Sequence, residues 1–430
     1  MPAVLITGAA SGIGRAAALQ FAQQGWDCLL ADISPAIAEL PQQCLAQGAA
    51  SAQAFALDLT DAQALVQLGR QLAALPALDA LVNNAGISDS SGRPLAEQAP
   101  AQWQRLLRLN LQAPQALFET CLPRLKADAR LVNVSSGAGH KAIPWRGLYS
   151  PSKAGLIAWS QSLARRYPQL SVTTLCPGFV RTELVQGLMD AGRLALADAV
   201  AKIPLGRLAE PEEMAAALVF LAQPQARVLS GQVLSVDGGS GIYGGSSRCA
   251  LSTAVPAPLQ TPLHLQLQAG SDAAGDSACD GAWLQALQAA DGEQVAATAA
   301  PCQGLVSTQA LAPAGGDLVE AVLSAAQQFA ATHARDASLV LLLPATAPEG
   351  VPAWQHQTAL AAARMLVATL ACEWATQGLR INALLLSSPQ ARGPAVAQLL
   401  PLVRFLAGAQ AQFVTGQCLN ISGSEESAHG

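Results

Sequence analysis

The feature that most constrains the fold is a glycine-rich segment near the start of the chain, TGAASGIG at residues 7–14. It follows a short apolar run at 3–6 and precedes an amphipathic stretch at 12–24, so it lies where a strand turns into a helix. Glycines in such a turn let the backbone approach a pyrophosphate, and the first helical amides point at its negative charge. An ordinary strand-to-helix turn is the alternative. The order of elements favours a dinucleotide site that includes Gly8, Ser11, Gly12, Ile13 and Gly14.

Short Leu-rich or β-branched runs alternate with longer amphipathic stretches through about residue 240. The candidate strands are 3–7, 27–31, 53–57, 79–82, 129–134, 171–176 and 232–236. The main candidate helices are 12–24, 101–125, 149–167 and 211–222. This alternation predicts an α/β fold with a doubly wound parallel sheet of the Rossmann type.

The chain of 430 residues is longer than one domain of this kind. We expect a cofactor-binding domain over 1–245 and, after a stretch of Gly, Ser and Pro, a linker over 246–262. A second, truncated Rossmann-like domain is expected over 263–430.

Composition narrows the class of protein. Hydrophobic residues make up 51% and charged residues 12%, and the apolar runs are short, which argues against both disorder and membrane spans. A net charge of -5 supplies no basic surface for nucleic acid. The nine cysteines are scattered without a CxxC pair, as expected for reduced thiols without a metal site. The N-terminus reads as a strand rather than an export signal, so we expect a cytoplasmic protein.

The second predicted strand ends in Asp32, 18 positions after Gly14. A carboxylate there can accept hydrogen bonds from both adenosine ribose hydroxyls and would repel a 2′-phosphate. Neither Ser11 nor Ile33 supplies a cation to neutralise such a phosphate. The sequence therefore favours NAD over NADP, the alternative being a helix-capping or surface aspartate.

Two further strand ends offer cofactor contacts. Asp58, followed by Leu59, can accept from the adenine amino group, although an N-cap for the next helix suits it equally well. Asn84, Ala85 and Gly86 follow the fourth strand, where small residues leave room for a cofactor and asparagine side chains can tie neighbouring strands together. A plain turn is the alternative there.

Several motifs occur in a fixed order along the first half. They are TGxxxGIG at 7–14, NNAG at 83–86, Ser136, YSPSK at 149–153, CPG at 176–178, and LGR at 205–207 through VDGG at 236–239. Together they resemble the short-chain dehydrogenase/reductase (SDR) family over its whole length. The resemblance implies an NAD(P)-dependent oxidoreductase acting on CH–OH groups, with Ser136, Tyr149, Lys153 and Asn110 as catalytic residues. It further implies that the cofactor is held by Tyr149, Lys153, Pro177, Gly178, Val180 and Thr182.

The chemistry of these residues is consistent with that resemblance. Hydride transfer at a carbinol carbon needs a partner that moves the hydroxyl proton, and a free tyrosine, with a pKa of about 10, holds its own proton too tightly. An ammonium at Lys153, one helical turn beyond Tyr149, favours the phenolate. Ser136 is placed to hydrogen-bond the substrate oxygen, with Ser135 as a structural neighbour. Asn110 is either the family's fourth catalytic residue or a satisfied core amide.

Residues 183–203 are expected to form a substrate lid. Its apolar residues, Leu184, Val185, Leu188, Met189 and Leu194, suggest an at least partly apolar substrate. Four cations could meet an anionic group or be solvated surface charges, namely Arg93, Lys141, Arg146 and Arg181. His140 and Trp145 line the pocket or serve as ordinary loop residues.

The second half repeats the order of the later part of the first. Setting Leu370 against Leu163 gives an offset of 207, which places His356 opposite Tyr149 and Leu360 opposite Lys153. Because the proton-transfer pair and an opening glycine motif are missing, this half is predicted to be a non-catalytic partner docked on the first. One chain would then mimic a dimer, and a homodimer would mimic the family's common tetramer. A new catalytic role for His356 is the alternative.

The sequence thus predicts an oxidoreductase that transfers hydride between NAD(H) and a secondary alcohol or ketone, with Tyr149 as general acid/base. A small-molecule substrate is expected, and neither nucleic acid nor a membrane. There are two alternative functions: a catalytically silent NAD-binding sensor or scaffold, which would need no proton relay, and a redox-neutral epimerase or dehydratase, whose glycine spacing is shorter.

Overall fold

A computed structural model describes the chain except residues 90, 93–97, 142, 144–145, 191, 193–194, 246–248, 250, 253–254, 270–276, 292–301, 312–317, 349–350, 388–393 and 422–430. The chain divides into two compact units. The first unit comprises Met1–Arg193 and Ala209–Ser235, and the second comprises Leu194–Leu208 and Val236–Gly430.

The first unit is built on a sheet of seven strands in the order β3-β2-β1-β4-β5-β6-β7. The strands are β1 (Ala3–Thr7), β2 (Asp27–Asp32), β3 (Ser51–Ala56), β4 (Leu78–Asn83), β5 (Leu125–Val134), β6 (Ser171–Pro177) and β7 (Val233–Val236). The predicted doubly wound parallel sheet is confirmed. Strand order reverses between β1 and β4, and in such sheets the crevice beyond the strand ends at this point is where ligands bind.

Helices connect these strands. They are α1 (Gly12–Gln23), α2 (Leu40–Ala46), α3 (Ala62–Ala73), α4 (Pro100–Leu107), α5 (Ala113–Cys121), α6 (Tyr149–Arg166), α7 (Glu183–Asp190), α8 (Leu196–Val200) and α9 (Pro211–Leu221), of which α8 belongs to the second unit. The expected helix at 101–125 is divided by a π-helical turn at Arg108–Gln112. Strand β5 starts at Leu125 rather than 129, because its register against β4 shifts between Leu78 and Ala80.

The sheet of the first unit is buried on both faces, which explains its nearly continuous apolar strands. On one face, Leu5, Leu81 and Leu131 pack with Leu68 of α3 and Phe118 of α5, and all five are at most 3% exposed. Burying one such leucine contributes about 1.5–3 kcal/mol relative to leaving it exposed. This packing fixes the strand ends that carry the polar residues described below.

The second unit contains a smaller sheet with five parallel strands in the sequential order β8-β9-β10-β11-β12. The strands are β8 (Leu263–Gln268), β9 (Cys302–Ser307), β10 (Ala337–Pro344), β11 (Arg380–Leu386) and β12 (Cys418–Asn420). Its helices are α10 (Ser277–Asp291), α11 (Leu318–Thr332), α12 (Ala353–Trp374) and α13 (Pro394–Ala407). The predicted second α/β unit is confirmed, and its strand order is that of β1-β4-β5-β6-β7 in the first sheet.

Helix α12 repeats the burial pattern of α6 at the offset of 207. Lys153, Leu156, Ser160 and Leu163 are buried on α6, and the corresponding positions on α12, Leu360, Ala363, Val367 and Leu370, are buried too. By length and composition, 355–377 would suffice to cross a membrane, but those four side chains lie in the core of the second unit. The helix is therefore a core element matched to α6.

The buried side chain of Arg380 stabilises the C-terminal part of the second unit. Its guanidinium is 7% exposed and donates to main-chain carbonyls of Leu406, Ala407, Gly408, Ala411 and Val414 at 2.8–3.4 Å. A buried arginine needs such acceptors, because a guanidinium without partners is costly in an apolar core. This residue therefore ties β11 to the end of α13 and the turn that follows.

Part of the predicted linker packs within the second unit. The amide of Cys249 donates to the carbonyl of Ala201 at 3.0 Å, and the amide of Ser252 donates to that of Gly206 at 2.8 Å. Both acceptors belong to Leu194–Leu208, which the chain contributes to the second unit after leaving α7. Composition signals a loop at this point but does not show where that loop packs.

Candidate active site

The glycine turn lies between β1 and α1. Gly8 and Gly12 have φ of +64° and +50°, which favour glycine. At Gly14 a Cβ atom would lie 2.0 Å from the Gly8 carbonyl oxygen, so a side chain is excluded there. The turn therefore has no side chains at its glycines, which flank Ser11 and Ile13 at the start of α1. At a helix N-terminus the main-chain amide dipoles favour a bound anion.

The ends of β1 and β4 are tied together at this turn. Asn84 donates from Nδ2 to the carbonyls of Thr7 at 3.0 Å and Gly8 at 3.2 Å. The Thr7 hydroxyl in turn accepts from the amides of Asn84 and Ala85 at 3.0 and 3.1 Å. The predicted side-chain link between neighbouring strands is therefore present. It fixes the ends of β1 and β4 at the point where strand order reverses.

Asp32 lies beside the same turn. Its carboxylate accepts from the Ala10 amide at 2.9 Å and from the Ser34 amide at 2.8 Å. The side chain is therefore part of the turn's hydrogen bonding, and it remains partly exposed at the end of β2. A carboxylate in this position places negative charge where an adenosine ribose would bind.

Asp58 forms a local turn after β3. Its carboxylate accepts from the amide and hydroxyl of Thr60, both at 2.8 Å, while Leu59 is buried. The N-cap of α3 is Asp61, whose carboxylate accepts from the Gln63 amide at 2.8 Å. The alternative of a helix cap at Asp58 is therefore wrong, because the residue that caps the helix lies three positions later.

Asn110 occupies the π-helical turn between α4 and α5 and is fully buried. Its side chain accepts from the Ile87 amide and donates to the Ile87 carbonyl, both at 2.9 Å, and donates to the Ser152 hydroxyl at 3.2 Å. A widened helical turn is uncommon and often marks a functional position. Asn110 thus links the loop after β4 to α6, which carries Tyr149.

Tyr149 is the first residue of α6, and Ser136 follows β5. Burial raises the pKa of Tyr149, and Cys176 raises it further. The hydrogen bond with Ser136 and the positive charge of Arg146 lower it. Ser135 instead donates to the main-chain carbonyl of Lys153 at 2.9 Å. The structure thus pairs Ser136, and not Ser135, with the phenol.

Lys153 lies one turn further along α6 and is buried. Its Nζ donates to the Val134 carbonyl at 3.0 Å and lies 5.9 Å from the centre of the Tyr149 ring. Burial lowers the pKa of Lys153 to about 8. A Cβ atom at Gly86 would lie 3.3 Å from this Nζ and 3.2 Å from Oδ1 of Asn110, so a side chain there would crowd both groups.

The segment after β6 faces the glycine turn. Pro177 ends β6, Gly178 follows it, and Val180 pairs with Ala209 in an isolated bridge. A Cβ atom at Gly12 would lie 3.2 Å from Cγ2 of Thr182. The glycine turn and the segment expected to hold the nicotinamide are therefore adjacent.

Other predicted pocket residues are placed differently. Arg181 is paired with Glu210 at 3.1 Å, which makes it a surface ion pair. His140 is exposed, with Nε2 3.7 Å from the buried Sγ of Cys176. The described residues do not include Arg93, Trp145 or Leu194, nor the side chains of Leu184 and Leu188. They include Lys141, Val185 and Met189. Cys176 was missed as a site residue, although the CPG motif signalled its place at the strand end.

Comparisons with known proteins agree with this geometry. A family profile described as enoyl-(acyl carrier protein) reductase matches residues 8–241. The chain belongs to the short-chain dehydrogenase/reductase family. An uncharacterized SDR-type protein of Sinorhizobium fredii is 37% identical over 55% of the chain, but the match spans only 43% of that relative. A 3-oxoacyl-[acyl-carrier-protein] reductase of Thermotoga maritima is 33% identical over 55% of the chain and 96% of its own length.

A solved SDR fold is similar over the same region. It is a putative NAD(P)-dependent gluconate 5-dehydrogenase from Beutenbergia cavernae with bound NADP, 32% identical, with a TM-score of 0.52 over 56% of this chain and 96% of its own. All these matches cover about half of the chain. The SDR assignment therefore rests on the first half, and the second unit is a parallel-sheet domain without a family assignment of its own.

The second unit places different side chains at the positions opposite the SDR pair. His356 is buried, and its Nε2 lies 3.2 Å from the carbonyl of Pro344 at the end of β10. Leu360, opposite Lys153, is 3% exposed. Among the described residues of this unit, no phenol and ammonium pair occupies those two positions.

Proposed function

We propose that this protein transfers hydride between NAD(H) and a secondary alcohol or the corresponding ketone. The observation that carries the proposal is the convergence of Ser136, Tyr149 and Lys153 at the end of β5, next to Gly86 in the loop after β4. Polar groups that meet in the crevice of a doubly wound sheet are placed for catalysis on a ligand bound there.

Tyr149 is the residue that moves the proton. Since burial raises its pKa, the phenol is protonated near neutral pH and can donate to the oxygen of a ketone. In the oxidation direction the same phenol must ionise, and the Ser136 hydrogen bond together with the Arg146 charge favours the phenolate. When bound, the nicotinamide supplies or accepts the hydride and, when oxidised, adds a positive charge.

Lys153 and Asn110 support this proton transfer by Tyr149. The pKa of Lys153, lowered by burial to about 8, allows its amine to exchange a proton near neutral pH. Asn110 fixes the loop after β4 through both polar groups of its side chain. We infer that these two residues extend the proton path away from Tyr149.

The residues of the first unit fit a dinucleotide. Side chains at Gly8 and Gly14 would meet main-chain atoms at 2.8 and 2.0 Å, so this turn keeps the glycines that a pyrophosphate-binding turn before a helix needs. Asp32 supports NAD as the preferred cofactor, because its carboxylate would repel a 2′-phosphate. Because a structurally similar protein was solved with bound NADP, an assay of this protein should test NAD and NADP separately.

We further propose that the second unit is not catalytic. The positions opposite Tyr149 and Lys153 hold His356, which bonds to a strand-end carbonyl, and Leu360, which lies in the core. Replacing His356 by Ala should leave turnover unchanged. Loss of turnover with cofactor binding intact would contradict this interpretation.

The test is a screen of secondary alcohols and hydroxy acids, following NADH absorbance with NAD and with NADP. Tyr149→Phe should lower turnover by roughly 10²–10⁴-fold, the usual contribution of general acid–base catalysis, while NADH still binds. Tyr167→Phe is the matched control, since Tyr167 packs edge-on against Phe118 in the core. Turnover that persists in Tyr149→Phe would refute the assignment, and efficient use of NADP would refute the role of Asp32.

A further inference from the structure

Arg146 is a cation at the proposed active site that forms no ion pair with an acidic side chain among the described residues. The described residues contain three ion pairs, Lys126–Asp79, Arg130–Asp128 and Arg181–Glu210, and none includes Arg146. Its Nη1 lies 3.4 Å from the neutral hydroxyl of Ser88, at the long limit of a hydrogen bond. A partly buried guanidinium with one weak neutral partner retains donors for an anion.

The position of Arg146 is fixed by the elements that carry the site. Its main-chain carbonyl accepts from the amide of Tyr149 at 3.0 Å, so the two residues belong to one turn at the start of α6. Its partner Ser88 follows Ile87, the residue that Asn110 holds through two hydrogen bonds. The guanidinium is thus held between the loop after β4 and the residue that moves the proton.

Asp89, an acidic residue described on that loop, is hydrogen-bonded to residues other than Arg146. Asp89 accepts from the amide and hydroxyl of Ser91 at 2.8 and 2.9 Å and from Nε2 of Gln98 at 2.7 Å. These three hydrogen bonds satisfy its carboxylate within its own loop. Asp89 therefore forms no ion pair with Arg146.

We propose that Arg146 binds the carboxylate of the substrate, so that the protein acts on hydroxy acids or keto acids whose reacting carbon faces Tyr149. This inference rests on the proposed function and narrows it to a substrate class. A guanidinium matches a carboxylate through two parallel hydrogen bonds, which fixes orientation as well as affinity. The guanidinium of Arg181 is already paired with Glu210, so it offers fewer N–H donors to a substrate carboxylate.

Binding is measured first, because it does not depend on turnover. The probes are a series of simple carboxylates and their primary amides, titrated calorimetrically into the full-length protein saturated with NADH. Arg146→Gln should weaken carboxylate binding by roughly 10–100-fold, the usual effect of losing a charged hydrogen bond, and leave amide binding unchanged. Arg146→Lys should recover part of the affinity, because it keeps the charge but not the fork.

The matched control is Arg165→Gln. Arg165 lies near the other end of α6 and donates to the Ser162 hydroxyl at 3.3 Å, so it loses a similar neutral contact far from Tyr149. Equal carboxylate affinity in Arg146→Gln and the wild type would overturn the proposal, as would equal losses in Arg146→Gln and Arg165→Gln.

Kinetics distinguishes this inference from the proposed function. With hydroxy acids, Arg146→Gln should raise KM by roughly 10–100-fold, whereas KM for neutral secondary alcohols should not change. Because the charge of Arg146 also lowers the pKa of Tyr149, kcat should fall by the same factor for both substrate classes, and the difference in KM is the readout of carboxylate binding. If the wild type oxidises neutral alcohols as well as hydroxy acids and the variant matches it on both, the Arg146 inference fails while the proposed function stands. Activity that survives in Tyr149→Phe would instead contradict the proposed function.

Discussion

Replacing Lys153 by Met should make the first unit more stable at neutral pH while removing its activity. Burial lowers the pKa of this lysine from 10.5 to about 8, whereas the unfolded chain keeps the ordinary value. Carrying the charge in the folded state then costs about 3 kcal/mol at neutral pH. The hydrogen bond to the Val134 carbonyl, which Met cannot make, is worth about 1 kcal/mol. The net gain expected for Lys153→Met is therefore about 2 kcal/mol.

The sign of this effect depends on pH. Between about pH 8 and 10.5 the unfolded chain binds more protons than the folded one, so the wild type gains stability as pH rises. Above that window the charge penalty is gone, and Lys153→Met should be less stable than the wild type by about 1 kcal/mol, the value of the lost hydrogen bond.

Urea unfolding across this pH range, with hydrogen exchange on β1 and α1 to follow the first unit, measures the difference. Lys126→Met, which truncates a lysine with a 42% exposed side chain, is the control and should leave the pH dependence unchanged. A variant that is less stable at neutral pH, or a difference that does not change with pH, would refute the reasoning.

Three further substitutions, one of them with a matched control, test the structure by urea unfolding. Gly14→Ala should cost about 3 kcal/mol or more and abolish NADH binding, because its Cβ would meet a main-chain carbonyl at 2.0 Å, whereas Gly187→Ala, with open space around it, should be neutral or stabilising. Asn110→Ala should cost about 2 kcal/mol, since both main-chain groups of Ile87 lose their partner; a neutral effect would contradict this. Arg380→Met should destabilise the second unit by about 3 kcal/mol or more, and an unchanged unfolding midpoint for that unit would show that its carbonyl contacts contribute little.

The sheet and the glycine turn were predictable because both depend on local spacing. Apolar runs of strand length alternate with helical stretches, and Gly8, Gly12 and Gly14 follow the first strand directly. The order of the motifs also predicted which residues meet at the site. Tyr149 and Ser136 are 13 positions apart in sequence, and the structure joins them by a hydrogen bond.

Features that depend on tertiary packing were not predictable. The bond from Lys153 to Val134 depends on how α6 lies against β5, and no local pattern marks the π-helical turn at Asn110. The sequence also predicted that Lys153 lowers the pKa of Tyr149, whereas the groups that lower it here are Ser136 and Arg146. The docking of the second half on the first, and the homodimer built from such chains, stay predictions.

We propose that Tyr149 is the acid/base and that it releases its proton when oxidised nicotinamide binds. The chain has three tyrosines, which makes the ultraviolet absorbance of a single phenolate measurable by pH titration. Adding NAD should produce one phenolate that titrates below the ordinary tyrosine pKa of about 10 and is absent in Tyr149→Phe. A titration that NAD does not change, or an NAD-dependent phenolate that persists in Tyr149→Phe, would contradict the claim.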